Sequence, residues 1–171
     1  MPTSMTEYRA FFTTYNGMTD ELTTPAGIRP LYATDPAFCN TSVEVEALWD
    51  TGATITCIKS ALWERLKLRP LESNRTELAG IGGNVTADVT IVNILLTPEF
   101  GIKSCPVYAV DFTGDADILI GMDIIGMGDF VVCNADNKTS FSFAVPSFPD
   151  RINLAEKAKA VNKNSTYREE I

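Results

Sequence analysis

The sequence predicts an all-β protein, a barrel or sandwich of many short strands with one or two short helices. Runs rich in β-branched and aromatic residues recur along the chain, separated by glycine, proline, asparagine or aspartate. "VEVEALW" at residues 43–49 has the two-residue period of a strand that is buried on one face. "ILIG" at 118–121 is a short, continuous apolar run, as expected of a strand that is buried on both faces.

The elements follow in order from these patterns. Strands are predicted at residues 8–15, 28–33 and 43–49, followed by a short β-type run at 54–58. Ser60 is the predicted N-cap of a short amphipathic helix, "ALWERLKL", which Pro70 ends. Further strands are predicted over 76–96, interrupted by a glycine turn, and over 104–112 and 118–120. "MDIIGMG" then gives at most two helical turns, before a hairpin formed by residues 129–134 and 139–145.

The chain length predicts a single domain with extensions. A chain of 171 residues that is 45% apolar can bury one core but is short for two. We expect an N-terminal strand pair and loop (residues 1–39) packed on a core domain (40–145). A polar C-terminal tail, partly helical at "NLAEKAKAVN", follows over 146–171.

Charge and composition narrow the function classes. The net charge of −8 argues against nucleic acid or an anionic membrane as a partner. The start of the chain does not read as a signal peptide, so we expect a cytoplasmic protein with free thiols. The four cysteines form no close pair, and the absence of histidine removes Ser-His-Asp catalysis and most zinc sites. We therefore expect no metal and no cofactor.

Three short motifs stand out for chemistry. An apolar strand runs into Asp50-Thr51-Gly52, glycines cluster at residues 80–83, and "ILIG" precedes the second predicted helix. Each has an ordinary explanation: a turn that aspartate and glycine favour, a hairpin tip, and a core strand. Their order and spacing together are much less expected by chance than any one of them alone.

In combination, "ALWDTGAT", "AGIGG" and "DILIGMDII" resemble the retropepsin family, the single-domain aspartic proteases typified by the retroviral enzymes. The resemblance spans roughly residues 40–145. The chain is also similar to a bacterial branch of the family in which a strand pair precedes the core. It implies a closed β-barrel of the acid-protease type. It also implies an aspartic endopeptidase that hydrolyses peptide bonds with a water activated between two aspartates.

The resemblance also implies roles for individual residues. Asp50 would be the catalytic acid, Thr51 would fix its loop, and Gly52 would allow close packing against the carboxylate. One chain carries one Asp-Thr-Gly, so the partner is expected to be a second copy in a homodimer, with a peptide or protein as substrate. The expected flap and pocket residues are Ala53, Ile55, Gly80, Ile81, Gly82, Gly83, Val85 and Ile120.

Three other interpretations compete with an active protease. The same fold could serve as a catalytically silent dimerisation or peptide-binding module, since fold does not imply function. "DTGAT" also fits the phosphate loop of actin-like and sugar kinases, but those need two large α/β halves. The acids between Asp111 and Asp123 resemble a calcium loop, although Thr113 and Ala116 break its pattern.

Overall fold

The computed structural model describes residues 7–71, 76–80 and 83–166. The strands within these ranges are β1 (Arg9–Thr14), β2 (Thr23–Pro30), β3 (Val43–Trp49), β4 (Cys57–Ile58), β5 (Thr76–Gly80), β6 (Gly83–Ala87), β7 (Val89–Leu95), β8 (Gly101–Ala109), β9 (Ile118–Ile120), β10 (Asp129–Ala135) and β11 (Lys138–Val145). The helices are α1 (Ser60–Arg65), α2 (Met122–Ile125) and α3 (Leu154–Thr166), with a 3₁₀ turn at Pro36–Asn40. No helix in the described part of the chain is long and apolar enough to cross a membrane.

Six strands close a barrel in the order β2-β3-β9-β4-β8-β7, which confirms the all-β class and selects a barrel over a sandwich. Strand β9 lies between β3 and β4, parallel to the first and antiparallel to the second. The loop of residues 50–56, which joins β3 to β4, therefore has to bridge the end of β9. This fold is also unlike the two α/β halves that a kinase-type phosphate loop needs.

A separate three-stranded sheet, in the order β1-β11-β10, covers one side of the barrel. Phe11 of β1 lies opposite Phe143 of β11, so the two ends of the domain meet in this sheet. The ring of Trp49, at the end of β3, lies 5.1 Å from that of Phe143 and 5.6 Å from that of Phe11. These aromatic contacts join the sheet to the barrel beside the end of β3.

Strand β2 corrects the predicted strand at 28–33, because it begins at Thr23 and includes Pro25. Pro25 lies opposite Glu46 of β3, at a level where β7 does not yet run alongside. The backbone N–H of Trp49 donates to Leu22 O at 2.9 Å, so Leu22 and Trp49 are a hydrogen-bonded pair. Hydrogen-bonded and non-hydrogen-bonded pairs alternate along the ladder, which makes Pro25 and Glu46 a non-hydrogen-bonded pair. The nitrogen of Pro25 consequently points away from β3, so its missing donor costs no ladder hydrogen bond.

Helix α1 corrects the predicted N-cap. Ser60 is the first helical residue, and Lys59 occupies the cap position, where its side chain makes no capping hydrogen bond. The carboxylate of Asp111 replaces the cap, because it accepts from Ser60 N at 3.0 Å and from Ser60 Oγ at 3.1 Å. A cap supplied from a distant loop leaves no local pattern in the sequence around the helix.

The C-terminal segment extends away from the body of the protein. The ring of Phe148 stacks on Tyr8 with 4.8 Å between centroids, and its backbone N–H donates to Asp129 Oδ2 at 2.8 Å. Beyond this anchor, residues 149–163 are exposed, including the first turns of α3. The helix predicted at "NLAEKAKAVN" is present and runs on to Thr166.

Candidate active site

Asp50 lies where β3 leaves the barrel. Its backbone N–H donates to the carbonyl of Ile120 at 3.0 Å, which continues the pairing of β3 with β9 by one residue. The preceding Trp49 is only 4% exposed, and its Nε1 donates to Thr24 Oγ1 at 2.9 Å. The strand is thus fixed in the core up to its last residue, while the side chain of Asp50 is half-buried at the surface.

The Asp50 turn holds one carboxylate oxygen. Oδ1 accepts from Gly52 N at 2.8 Å, and Ala53 N donates to the backbone carbonyl of Asp50 at 3.2 Å. A Cβ at Gly52 would lie 3.1 Å from the same Oδ1, so glycine gives this contact its room. Among the residues that the structure describes, Oδ2 of Asp50 has no hydrogen-bond partner and no cation. The second oxygen is therefore available to a ligand or to a second chain.

The far end of the loop is fixed by a buried polar network that the sequence analysis missed. Thr56 is fully buried; its N and Oγ1 donate to the carboxylate of Asp123 at 2.9 and 2.7 Å. Thr56 Oγ1 also accepts from Gly121 N at 3.2 Å. The available signal was an acid in the first turn of a short helix, where a carboxylate commonly accepts from backbone N–H groups.

Gly121 allows the end of β9 to pass directly beneath the loop. A Cβ at this position would lie 2.5 Å from the carbonyl oxygen of Ile55 and 2.6 Å from its carbon, too close for any other residue without a shift of the backbone. The N–H groups of Met122 and Asp123 donate to the carbonyls of Ala53 and Thr54 at 2.8 and 3.2 Å. The Asp50 loop and the start of α2 therefore form one rigid unit.

An open groove of about 400 Å³ lies beside Asp50 and Thr51. Its other walls come from the segment before β2, from β3 and from β10, namely Asp20, Glu21, Leu22, Leu48, Trp49, Phe130 and Val132. Phe130 and Val132 were predicted only as hairpin residues. Nothing in their local pattern reveals that β10 runs next to the Asp50 loop, because that proximity comes from the tertiary fold.

The other predicted site residues are only partly brought together. Ala53 and Ile55 lie in the Asp50 loop. Gly80 and Gly83 face each other across the β5–β6 hairpin, and Val85 lies opposite Leu78 in its ladder. The predictions for Ile81 and Gly82 fall outside the described residues. Ile120 is fully buried, so its side chain belongs to the core and we no longer assign it to a substrate pocket.

The acids of the calcium-loop alternative are engaged elsewhere. Asp111 accepts from Ser60 at the start of α1, and Asp117 Oδ2 accepts from Glu46 N at 3.0 Å. The described residues contain no group of three or more acidic or thiol side chains placed to hold a metal ion. These acids support loops of the barrel rather than converging on a common centre.

Two of the thiols, Cys57 and Cys105, are buried and unreactive. Burial raises the pKa of Cys57 to about 11 and that of Cys105 to about 12, and the charge of Asp123 acts in the same direction. All four cysteines are free. Because a thiolate is the nucleophilic form, neither buried thiol is suited to attack a substrate at neutral pH.

Comparisons with known proteins identify the family. A family model described as aspartyl protease matches residues 37–124, about half of the chain, including Asp50 and Gly121. Comparison with curated proteins finds no match.

Several solved structures contain chains that are similar to this one. The EIAV protease complexed with the inhibitor HBY-793 is 27% identical, with 67% of this chain and 92% of that chain covered and a TM-score of 0.47. A retropepsin-like aspartic protease from Rickettsia conorii is 15% identical (82% and 98% covered, TM-score 0.49). The retroviral protease-like domain of Ddi1 from Leishmania major is 18% identical (80% and 100% covered, TM-score 0.43). On the family match, the resemblance drawn from the sequence is confirmed, and the chain belongs to the aspartyl protease family.

Proposed function

We propose that the protein is an aspartic endopeptidase in which Asp50 is the catalytic carboxylate. The observation that carries the proposal is the geometry of this side chain. One oxygen is fixed by Gly52 N–H, the other has no partner in the described part of the chain, and a groove opens beside it. A carboxylate held in this way can bind a water and present it to a substrate.

The proposed chemistry needs a second carboxylate. One chain supplies one Asp-Thr-Gly, so the catalytic pair consists of Asp50 from each of two copies related by a two-fold axis. Two carboxylates in contact cannot both be ionised cheaply and share one proton, a behaviour for which aspartic proteases are the known example. The shared proton belongs to the pair and not to either residue.

In the proposed reaction, the ionised carboxylate takes a proton from a water molecule bound between the two acids. The water oxygen attacks the peptide carbonyl, while the protonated carboxyl donates to the carbonyl oxygen. The resulting tetrahedral intermediate collapses when the nitrogen of the scissile bond receives a proton, which releases an amine and a carboxylic acid. Thr51 and Gly52 position Asp50, and no covalent link to the enzyme forms.

The substrate we propose is an extended peptide with apolar residues on both sides of the cut bond. Leu22, Leu48 and Val132 give the groove apolar walls, and the flap hairpin would cover the bound peptide. Asp20 and Glu21 add negative charge to the lining, which favours neutral or basic flanking residues. This attraction should weaken with added salt.

The test is cleavage of a peptide library, read by mass spectrometry, with Asp50→Asn as the matched variant. We expect cleavage by the parent, a bell-shaped pH profile on the acid side of neutrality, and no cleavage by Asp50→Asn. Unfolding curves of the two proteins should nearly coincide, because the side chain is half-buried and the substitution is isosteric. Cleavage that survived in pure Asp50→Asn protein would exclude Asp50 as the catalytic acid.

A folded, dimeric parent that cut no peptide would favour the silent-module interpretation. Peptide binding measured on the same library would then separate a binding module from a dimerisation module.

A further inference from the structure

Three cationic side chains surround a small cavity on the outer face of the barrel, although the chain as a whole carries a net charge of −8. The cavity has a volume of about 180 Å³, and Arg9, Arg29 and Lys103 line it together with a single acid, Glu99. Because like charges repel, cations gathered at one place favour the binding of an anion there. We propose that Arg29, Asn93 and Lys103 bind an oxyanion, namely a carboxylate or phosphate group carried on a short apolar body.

Strand pairing places Arg29 and Asn93 side by side on this face. The two residues are partners in the β2–β7 ladder, next to the pair formed by Ile28 and Ile94. Both isoleucines are fully buried, so the side chains of Arg29 and Asn93 point to the opposite, outer face of the sheet. Side chains that lie directly opposite each other on one face are close enough to contact a common ligand.

A β-bulge brings Lys103 to the same place. The register of β7 with β8 shifts between Val92 and Ile94, where two residues of β8, Lys103 and Ser104, lie opposite the single residue Asn93. Ser104 has a φ of 56°, which a non-glycine residue seldom adopts, and its N–H donates to Asn93 Oδ1 at 2.9 Å. The side chain of Asn93 therefore holds the bulge from which Lys103 lines the cavity.

The hydrogen bond from Ser104 also determines which group of Asn93 is left for a ligand. The amide oxygen is engaged as an acceptor, and the remaining Nδ2 group can only donate. In the part of the chain that the structure describes, the guanidinium of Arg29 and the ammonium of Lys103 have neither a hydrogen-bond acceptor nor an ion-pair partner. Three donor groups, two of them charged, therefore belong to one cavity, which suits the several lone pairs of an oxyanion.

A partly neutralised cation and an apolar wall complete the cavity. Arg9 donates to Glu99 O at 3.0 Å and forms an ion pair with Glu7 at 3.0 Å, so its charge is less available than those of Arg29 and Lys103. An apolar wall lies beside the cations and is formed by Leu95, Pro98 and Phe100. A ligand that joins an oxyanion to a short apolar group can therefore use both parts of the lining.

This cavity is separate from the candidate active site. Among the described residues, none lines both the cavity and the groove beside Asp50. Leu22, which lines the groove, and Arg29 lie seven residues apart along one extended segment, which corresponds to a distance of roughly 20 Å. The oxyanion site is thus additional to the proposed peptidase activity and can be tested without it.

The first test is an NMR titration of the isotope-labelled full chain with two probes at constant ionic strength. One probe is inorganic phosphate, and the other is isocaproate, a carboxylate on a short branched apolar chain. We expect saturable shifts of the Ser104 backbone signal and the Asn93 side-chain signal with at least one probe, and the tighter probe identifies the oxyanion. No saturable shift with either probe would overturn the proposal.

The second test is Lys103→Gln, with Lys138→Gln as its matched control at an exposed lysine of the β10–β11 hairpin. We expect the dissociation constant of the tighter probe to rise roughly tenfold for Lys103→Gln, because a charge-assisted hydrogen bond is lost. Lys138→Gln makes the same change in net charge and should bind the probe as the parent does. Equal dissociation constants for the two variants would overturn the site, since the position of the charge would then not matter.

The third test is Asn93→Asp, which examines the amide donor. Aspartate keeps an acceptor for Ser104 N–H and so preserves the bulge, but it replaces the Nδ2 donor with a negative charge. We expect a melting curve close to that of the parent and at least a tenfold loss of affinity for the tighter probe. Affinity equal to that of the parent would overturn the proposed contact, because the ligand would then approach a carboxylate at no cost.

Discussion

The carboxylate of Asp123 accepts two hydrogen bonds from Thr56, one from its backbone N at 2.9 Å and one from Oγ1 at 2.7 Å. This pair connects the end of the Asp50 loop to the first turn of α2. Because Thr56 is fully buried, its hydroxyl has no water to replace a lost partner. The position of Asp50 depends on this contact although neither residue touches the groove.

Thr56→Val should therefore destabilise the protein. The substitution keeps the shape but leaves Gly121 N–H without its acceptor and removes the hydroxyl that donates to Asp123 Oδ1. We expect the free energy of unfolding, from urea titration, to fall by about 1–3 kcal/mol. Thr56→Ser retains the hydroxyl and should stay nearer to the parent. Equal stabilities for the valine and serine variants would contradict a role for the hydroxyl.

Gly121→Ala should disturb the same unit by steric contact. The added Cβ meets the backbone of Ile55 at 2.5 Å, and backbone cannot move aside as a flexible side chain can. We expect a loss of about 1–3 kcal/mol in unfolding free energy and a larger fall in kcat than in substrate affinity. Gly17→Ala is the control, since a Cβ there meets nothing within 4 Å. A Gly121→Ala protein as stable as Gly17→Ala would show that the loop can yield.

The order of the motifs predicted this part of the site well. An acid after an alternating strand and a glycine after a buried run were visible in the sequence, and the structure brings Asp50 and Gly121 into one unit. The hairpins and both short helices were also predictable, because their signals are local. Strand and turn propensities act over a few residues, which is the range that a sequence pattern can report.

The contacts that the sequence did not predict are long-range. The Asp111 carboxylate that caps α1 comes from another loop, so the sequence predicts Ser60 as the N-cap, whereas the helix already begins at Ser60. The pairing of β1 with β11 joins the two ends of the domain. Val132 reaches the groove only through that sheet. None of these partners leaves a mark on the residues around it, because each depends on closure of the whole barrel.

The raised pKa values of Cys57 and Cys105 predict a loss of stability at alkaline pH. Both thiols stay protonated in the folded chain up to about pH 11–12, whereas unfolded thiols ionise near their usual pKa of about 9. The contribution of the two thiols to stability is complete below their unfolded pKa of about 9. It is lost as the pH rises through their pKa values in the folded chain. Chemical unfolding between pH 8 and 11 should show a shallower decline for Cys57→Ala/Cys105→Ala than for the parent. Parallel declines would contradict the assignment to these thiols.

Removal of the C-terminal segment should leave the body intact. Residues 149–163 are exposed, whereas Phe148 is anchored by Tyr8 and Asp129. A chain that ends after Arg151 should have a free energy of unfolding within about 0.5 kcal/mol of that of the full chain. A chain that ends after Val145 loses the Phe148 anchor and should be measurably less stable. The comparison needs only thermal melts of the two truncated proteins and the parent.

The insertion of β9 between β3 and β4 sets the order in which the chain can become functional. Asp50 and the loop after it are made early in synthesis, but the strand that fills the gap beneath them comes from the second half of the chain. Until residues 118–125 have emerged and packed, β9 does not lie beneath the Asp50 turn, and Asp123 is not in place to accept hydrogen bonds from Thr56. Such non-local closure is intrinsically slow. A growing chain therefore carries Asp50 in an unassembled loop until its second half has folded.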